Sequence, residues 1–190
     1  MSDLREKIID TALHLFASQG YHGVTVNQIV QNAGTSKGGF YHHFSSKDEL
    51  LYVIHDTFIT YALKHANQAN QKCIAPRKKL EIIIKDFIKV FDVYQPHISV
   101  FYQESVYLKS EYEQNIRIKR EQFKEIIMNV VQEGQQTGDF RKEIDVDLTS
   151  MAILGMVNWT YKWYKRSGHK TIEEIGKHFN DLILHAIVKT

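Results

Sequence analysis

Apolar side chains recur every three or four residues along most of the chain, which is the spacing of amphipathic helices. The first stripe predicts a helix over about residues 4–18. Its members are Leu4, Ile8, Ala12, Leu15 and Phe16. Two short helices are predicted next, one from Thr25 to Gly34 and one from about Ser36 to His43. Strands are not expected, because alternation of apolar and polar residues is scarce.

Several helix starts carry a capping box, in which a hydroxyl residue is followed three positions later by Glu or Gln. The three pairs are Thr25 with Gln28, Ser46 with Glu49, and Thr171 with Glu174. The Ser46 pair predicts a long connecting helix over Lys47–Gln71. Further helices are predicted near 76–91, 96–108, 111–136, 146–166 and 171–188. The chain is therefore predicted to be all-α, with three short helices, a connecting helix and a five-helix bundle.

Composition narrows the class of protein without identifying it. The chain has 190 residues, 43% of them hydrophobic, and a formal net charge of +2. No apolar run approaches the ~18 residues that cross a bilayer, so no membrane association is expected. The single Cys73 cannot form an intramolecular disulfide. These features predict a cytoplasmic protein.

The distribution of charge is more informative than the total. No Asp or Glu occurs from Thr11 through Lys47, whereas Lys37, Lys47 and four histidines do. Carboxylates repel phosphates, so an acid-free stretch suits a surface that faces DNA. This is a weak signal by itself.

The second short helix carries candidate chemistry. Phe40 and Phe44 are four residues apart and are predicted to anchor one helical face in the core. The other faces carry Thr35, Ser36, Lys37, Gly38, Gly39, Tyr41 and His42. Small residues permit close approach to a duplex, and hydroxyl, ammonium and aromatic groups can bind phosphates or base edges. An ordinary three-helix corner is the alternative, but core packing alone does not require this outer face.

This region resembles the TetR/AcrR repressor family. The matching elements are the Ile8–Phe16 pattern, Gly20-Tyr21, Thr25, Ala33-Gly34, Ser36–Phe44, Lys47 and Leu50-Leu51. The family usually has Val or Ile where Thr35 stands, and often Thr or Ser where Gly39 stands. These departures bear on base preference and leave the helix prediction intact.

The resemblance implies a helix-turn-helix domain over 1–46 and a ligand-binding and dimerisation domain over 47–190. It implies a homodimeric repressor that binds a palindromic double-stranded DNA operator and is released by a small-molecule effector. The predicted DNA-binding residues are Thr25, Thr35, Ser36, Lys37, Gly38, Gly39, Tyr41, His42 and Lys47. The predicted dimer interface contains Met151, Leu154, Met156, Val157, Ile175, Phe179, Leu182, Ile183 and Ile187.

The effector site is harder to place. Aromatic residues and one methionine are the candidate lining: Phe101, Tyr102, Tyr107, Phe123, Met156, Trp159 and Trp163. The alternative is that each of these side chains packs in the core or at the dimer interface. For any single residue this packing role is favoured over a role in the effector site. The segment 155–164 resembles TetR-family regulators of fatty-acid and acyl-CoA metabolism, which suggests an apolar or acyl-CoA effector. The phosphates of an acyl-CoA could be bound by Arg117, Arg120 and Lys124. The safer interpretation is that these three residues form a solvated helix face with salt bridges to nearby glutamates.

Enzymatic function is not expected. The ten histidines are scattered, and no metal-binding spacing, nucleophile elbow, P-loop or dinucleotide fingerprint occurs. Neither a metal nor a cofactor is predicted. The remaining alternative is a helical ligand-binding or protein-interaction module that does not bind DNA.

Overall fold

The computed structural model describes residues 3–189 and is built from α-helices, as predicted. The helices are α1 (Leu4–Gln19), α2 (Val26–Ala33), α3 (Lys37–His43), α4 (Lys47–Asn70), α5 (Pro76–Val93), α6 (Gln95–Glu104), α7 (Ser110–Thr137), α8 (Val146–Asn158), α9 (Thr160–Trp163) and α10 (Ile172–Ile187). A 3-10 turn, Ser105–Tyr107, joins α6 to α7. The all-α prediction is confirmed, and most of the predicted bounds lie within a few residues of those observed.

Two of the three predicted capping boxes are present in full, at Thr25 and at Thr171. The third is only half formed. The Glu49 N–H donates to Ser46 Oγ at 3.1 Å, as predicted. The Glu49 carboxylate, however, accepts from the N–H and the hydroxyl of Ser45, both at 2.6 Å. These two hydrogen bonds lower the pKa of Glu49 and still cap the start of α4.

The predicted helix over 146–166 is wrong, because α8 ends at Asn158 and the short α9 ends at Trp163. The backbone of Tyr164 is extended, which turns its ring into the core. Its hydroxyl donates to Asp92 Oδ1 at 2.7 Å, and Arg166 Nε donates to the same atom at 2.8 Å. These tertiary hydrogen bonds outweigh the helical periodicity of the segment.

The chain divides into two compact units. The first contains the chain up to Phe58 together with Pro96–Ile116, and the second contains Ile59–Gln95 and the chain from Arg117 onward. These bounds fall within α4, at the start of α6 and within α7. They differ from 1–46 and 47–190, which stay a prediction about functional domains.

The core of the first unit unites the N-terminal helices with later segments. Phe16, Ile29, Phe40 and Phe44 are buried together with residues of α4 and with Val100 of α6. Leu108, just after the 3-10 turn, packs against the same cluster. The N-terminal helices therefore share one hydrophobic core with a segment some sixty residues further along the chain.

In the second unit, α10 lies close to α5. A Cβ added at Gly176 would be 2.8 Å from Ile88 Cγ2, so the glycine permits this close approach. Elsewhere on α5, the largely buried Lys79 donates to both carboxylate oxygens of Glu133, at 2.8 and 2.9 Å. A buried ammonium needs such a partner, so the pair fixes α5 against α7.

No helix within residues 3–189 is long and apolar enough to cross a membrane. The same part of the chain holds no group of three or more His, Cys, Asp or Glu residues suited to a metal ion.

Candidate DNA-binding and effector-binding sites

The turn between α2 and α3 is fixed by backbone hydrogen bonds. Gly34 has a left-handed conformation with φ 62°, and its N–H donates to the carbonyls of Val30 and Gln31. The Thr35 N–H donates to the Val30 carbonyl at 2.9 Å. A glycine removes the steric cost of the left-handed conformation at such a helix end. The angle between α2 and α3 is therefore set locally by the sequence.

One face of α3 is buried and the other faces solvent. Phe40 and Phe44 lie in the core, with ring centroids 5.7 Å apart, as predicted. Ser36 caps the helix by accepting from the Gly39 N–H at 3.1 Å. On the outer face, Tyr41 is 54% exposed. The other exposed predicted residues of this segment are Ser36, Lys37, Gly38 and His42.

The absence of a side chain has a different consequence at each of the two glycines of α3. A Cβ at Gly39 would overlap Thr35 Oγ1, so Gly39 is required while the Thr35 hydroxyl holds that position. A Cβ at Gly38 would meet only Ser36 Oγ, at 3.6 Å. No internal contact therefore requires Gly38, and its absent side chain leaves open space on the exposed face. Thr35 and Gly39, the two departures from the family pattern, are neighbours in space.

Lys47 is tied to the protein itself. Its ammonium donates to the carbonyls of Tyr21 and Val24, at 2.8 and 2.7 Å, and lies 4.1 Å from the Tyr21 ring centroid. Partial burial lowers the pKa of Lys47, although the nearby Asp48 opposes this. One of three N–H donors is left for a phosphate. Thr25 is also engaged, since its hydroxyl forms the cap of α2.

An aromatic and charged cluster, which sequence reasoning missed, binds the α1–α2 loop to the start of α4. Tyr21 donates its hydroxyl to Asp48 Oδ1 at 2.5 Å, and Lys109 lies 3.0 Å from Asp48 Oδ2. Hydrogen bonds from these two residues help to lower the pKa of Asp48, and the Tyr21 bond is the largest cause. Tyr107 stacks on Tyr21, with centroids 6.0 Å apart, and contacts His22 edge-on at 4.2 Å. Tyr107, predicted to line the effector site, thus packs on the loop after α1.

Phe101, another predicted effector residue of the first unit, contacts a histidine that sequence reasoning also missed. Phe101 is buried against His55, with ring centroids 4.9 Å apart, and against Phe58 and Tyr102 at 5.2 and 5.1 Å. His55 is fully buried. Leu51, His55 and Phe58 follow helical spacing, and this apolar stripe is the signal that could have revealed a buried histidine.

Predicted effector residues of the second unit lie in different environments. Phe123 is buried and contacts Phe87, with centroids 4.6 Å apart. Met156 is half-buried, whereas Trp159 and Trp163 are 60% and 45% exposed. Exposed tryptophans are more typical of an interface than of an enclosed pocket.

An open groove of about 1290 Å³ runs along α5 and α10 in the second unit. Of the predicted effector residues, only Trp163 lines it. Elsewhere on α7, Lys124 binds Glu121 at 2.5 Å, and Arg117 and Arg120 also help to lower the pKa of Glu121. These contacts fit the solvated, salt-bridged face that was the safer interpretation.

Comparison with known proteins agrees with this geometry. Residues 8–53 match the family described as bacterial regulatory proteins, tetR family, and residues 74–187 match the tetracyclin repressor-like C-terminal domain. The transcriptional repressor KstR2 of Rhodococcus jostii is 25% identical over 98% of this chain and 92% of its own length.

Two solved structures extend the comparison. PfmR of Thermus thermophilus, a TetR family regulator, is 29% identical with a TM-score of 0.85, over 94% of this chain and 97% of its own. AibR, solved in complex with isovaleryl coenzyme A and operator DNA, shares the fold with a TM-score of 0.79 and 23% identity, over 95% of this chain and 97% of its own. The prediction of a regulator rather than an enzyme is confirmed, and the chain belongs to the TetR family of transcriptional regulators.

Proposed function

We propose that the chain is a sequence-specific DNA-binding repressor whose operator affinity falls when a small apolar effector binds. The exposed face of α3 carries this proposal. Its residues offer a cation, a helix start with free space at Gly38, and the Tyr41 and His42 side chains. Such a face suits the major groove, where phosphate contacts position the helix and base contacts specify the sequence.

The proposed DNA contacts are the predicted ones, with roles that follow from their surroundings. Ser36, Lys37, Tyr41 and His42 contact the duplex directly. Gly38 permits close approach of the backbone, and Thr35 with Gly39 shapes the start of α3. Thr25 and Lys47 contribute flanking phosphate contacts through the hydrogen-bonding capacity that is not used by their contacts within the protein.

A homodimer is proposed because large apolar side chains are exposed on and just after α8 and on α10. They are Leu148, Met151, Trp159 and Leu182. A second copy that covers these side chains would remove them from water and place two α3 helices on one palindromic operator. Sedimentation of wild type and of the Met151→Glu/Leu182→Glu variant tests this. The wild type should be a dimer and the variant a monomer with weakened operator binding.

The proposed effector is an apolar molecule, with acyl-CoA as the favoured class. One support is the segment 155–164, which resembles TetR-family regulators of fatty-acid and acyl-CoA metabolism. The other is AibR, which is similar in fold and was solved with isovaleryl coenzyme A. Mass spectrometry of molecules that copurify with the protein would identify the effector, and each candidate can then be tested for operator release.

The decisive experiment for DNA binding is selection of bound duplexes from a random library, followed by gel-shift titration. Wild type should enrich a palindrome and bind it in a salt-sensitive manner. The Lys37→Ala/Tyr41→Ala variant should lose this binding, while Lys64→Ala, which removes an exposed cation on α4, should keep it. Failure of the wild type to select any sequence would favour a helical module without DNA binding.

A further inference from the structure

His55 lies on α4 in the first unit, with none of its surface exposed. Within residues 3–189, neither of its ring nitrogens has a hydrogen-bond partner. A neutral imidazole carries one N–H donor and one acceptor, and buried polar atoms in proteins are nearly always hydrogen-bonded. The histidine is therefore an exception that requires an explanation.

Several other buried polar side chains form at least one hydrogen bond, although Thr160 Oγ1 and Asn180 Oδ1 have no partner within residues 3–189. Lys79 binds Glu133, Ser150 donates to the Val146 carbonyl at 2.7 Å, and Asn180 donates to the Glu81 carbonyl at 3.3 Å. An apolar residue of similar size at position 55 would fill the same space without an unsatisfied donor and acceptor. His55 thus lowers the stability of the ligand-free fold, unless another molecule satisfies its nitrogens.

The surroundings of the imidazole are aromatic. The ring of Phe101 meets it edge-on, and Phe58 and Tyr102 both contact Phe101. Burial alone lowers the pKa of His55 to about 3, and no charged group contributes to the shift. The imidazole is therefore neutral at physiological pH, and an ionised ligand group would be buried there without a counter-charge.

We propose that His55 is the hydrogen-bonding residue of the effector site, and that it binds an uncharged hydroxyl or carbonyl group of an otherwise apolar effector. This inference rests on the proposed function. It narrows the effector to molecules such as thioesters, ketones or alcohols, and it disfavours free carboxylates. Phe101 and Tyr102 would contribute apolar contact beside the imidazole.

The position of His55 also provides a route from the effector to α3. Phe101 meets the imidazole edge-on, so we expect an effector group that hydrogen-bonds to His55 to shift the Phe101 ring. The neighbouring Val100 is buried in the core that holds Phe40 and Phe44. Movement of α6 at Phe101 would therefore disturb the core on which α3 rests, and operator affinity would fall.

The test compares wild type with His55→Phe and His55→Gln by fluorescence anisotropy on the selected operator. The probes are isovaleryl coenzyme A and the neutral ketosteroid androst-4-ene-3,17-dione, with isovalerate as the charged counterpart. At least one of the two probes with an uncharged carbonyl should release the wild type, and isovalerate should not. His55→Phe should bind the operator within twofold of wild type but need at least tenfold more probe for release. His55→Gln keeps a donor and an acceptor and should respond in between.

Thermal unfolding without ligand gives a second measurement. His55→Phe should unfold at the same temperature as wild type or higher, because it removes unsatisfied polar atoms. A lower unfolding temperature of His55→Phe and of the smaller His55→Leu alike would mean that the imidazole is already hydrogen-bonded, and it would overturn the proposal. An equal response of His55→Phe and wild type, or release by neither carbonyl probe, would also overturn it. Absence of operator binding in the wild type would instead contradict the proposed function.

Discussion

Replacing Lys47 with methionine separates two roles for this residue. The Lys47 ammonium donates to the carbonyls of Tyr21 and Val24, so it holds the loop that leads into α2. Methionine keeps most of the apolar stem and removes both hydrogen bonds. A hydrogen bond to a charged group contributes about 1.5–3 kcal/mol when it is shielded from water. Lys47 is only partly buried, so we expect a loss of about 2 kcal/mol for the pair.

For a chain of this length, a loss of that size lowers the unfolding temperature by roughly 4–8 °C. Calorimetry measures this loss. Operator titrations at several salt concentrations measure phosphate contacts, since each contact contributes about 0.9 to the slope of log K against log salt. Because its internal hydrogen bonds leave Lys47 one donor for a phosphate, Lys47→Met should weaken operator binding chiefly through the loop and should flatten the salt slope less than Lys37→Met does.

Lys37→Met is the matched control. Lys37 is exposed at the start of α3, so its loss should change stability by no more than about 0.5 kcal/mol. The salt slope should fall by about 0.9 for each subunit that contacts DNA. The positioning role of Lys47 would be refuted if Lys47→Met left the unfolding temperature unchanged and flattened the slope as much as Lys37→Met.

Three further predictions follow from individual contacts. Gly134→Ala should lower the free energy of unfolding by about 1–3 kcal/mol, because the new Cβ would overlap the buried ring of Phe140. An unchanged midpoint in urea unfolding would contradict this. Gly39→Ala should weaken operator binding through its clash with Thr35, and adding Thr35→Ala should restore part of the affinity in a double-mutant cycle. Stability should fall as the pH drops from 6.5 toward 3, by up to about 1.4 kcal/mol per unit from His55, because the unfolded imidazole binds a proton that the folded one does not; His55→Phe should lack this component.

Local sequence signals were sufficient for most of the fold and for the exposed face of α3. The stop at Gly34, the helix start near Ser36 and the spacing of Phe40 and Phe44 each act within a few residues. Such signals do not depend on distant contacts, and the structure confirms them. The outer face of α3 then follows from helical geometry, because the residues between two core positions must point outward.

Contacts between residues that are far apart in the sequence could not be predicted from such local patterns. The carbonyl partners of Lys47 lie more than twenty residues earlier, and Tyr107 meets Tyr21 across 86 positions of sequence. The helical segment after Asn158 ends at Trp163, and the next residue, Tyr164, donates its hydroxyl to Asp92, 72 residues earlier in the chain. Composition and periodicity carry no information about these pairings, which is why the surroundings of Tyr107 and the end of α8 differed from expectation.

The first unit is discontinuous along the chain, and this limits how its parts can be exchanged between proteins. Val100 and Leu108 complete the core beneath α3, and Lys109 binds Asp48 at the start of α4. A fragment that ends at residue 46 would expose apolar surface that these residues cover. A chimera that takes its DNA-binding helices from one regulator must therefore take 96–116 from the same parent, or redesign both sides of that contact together.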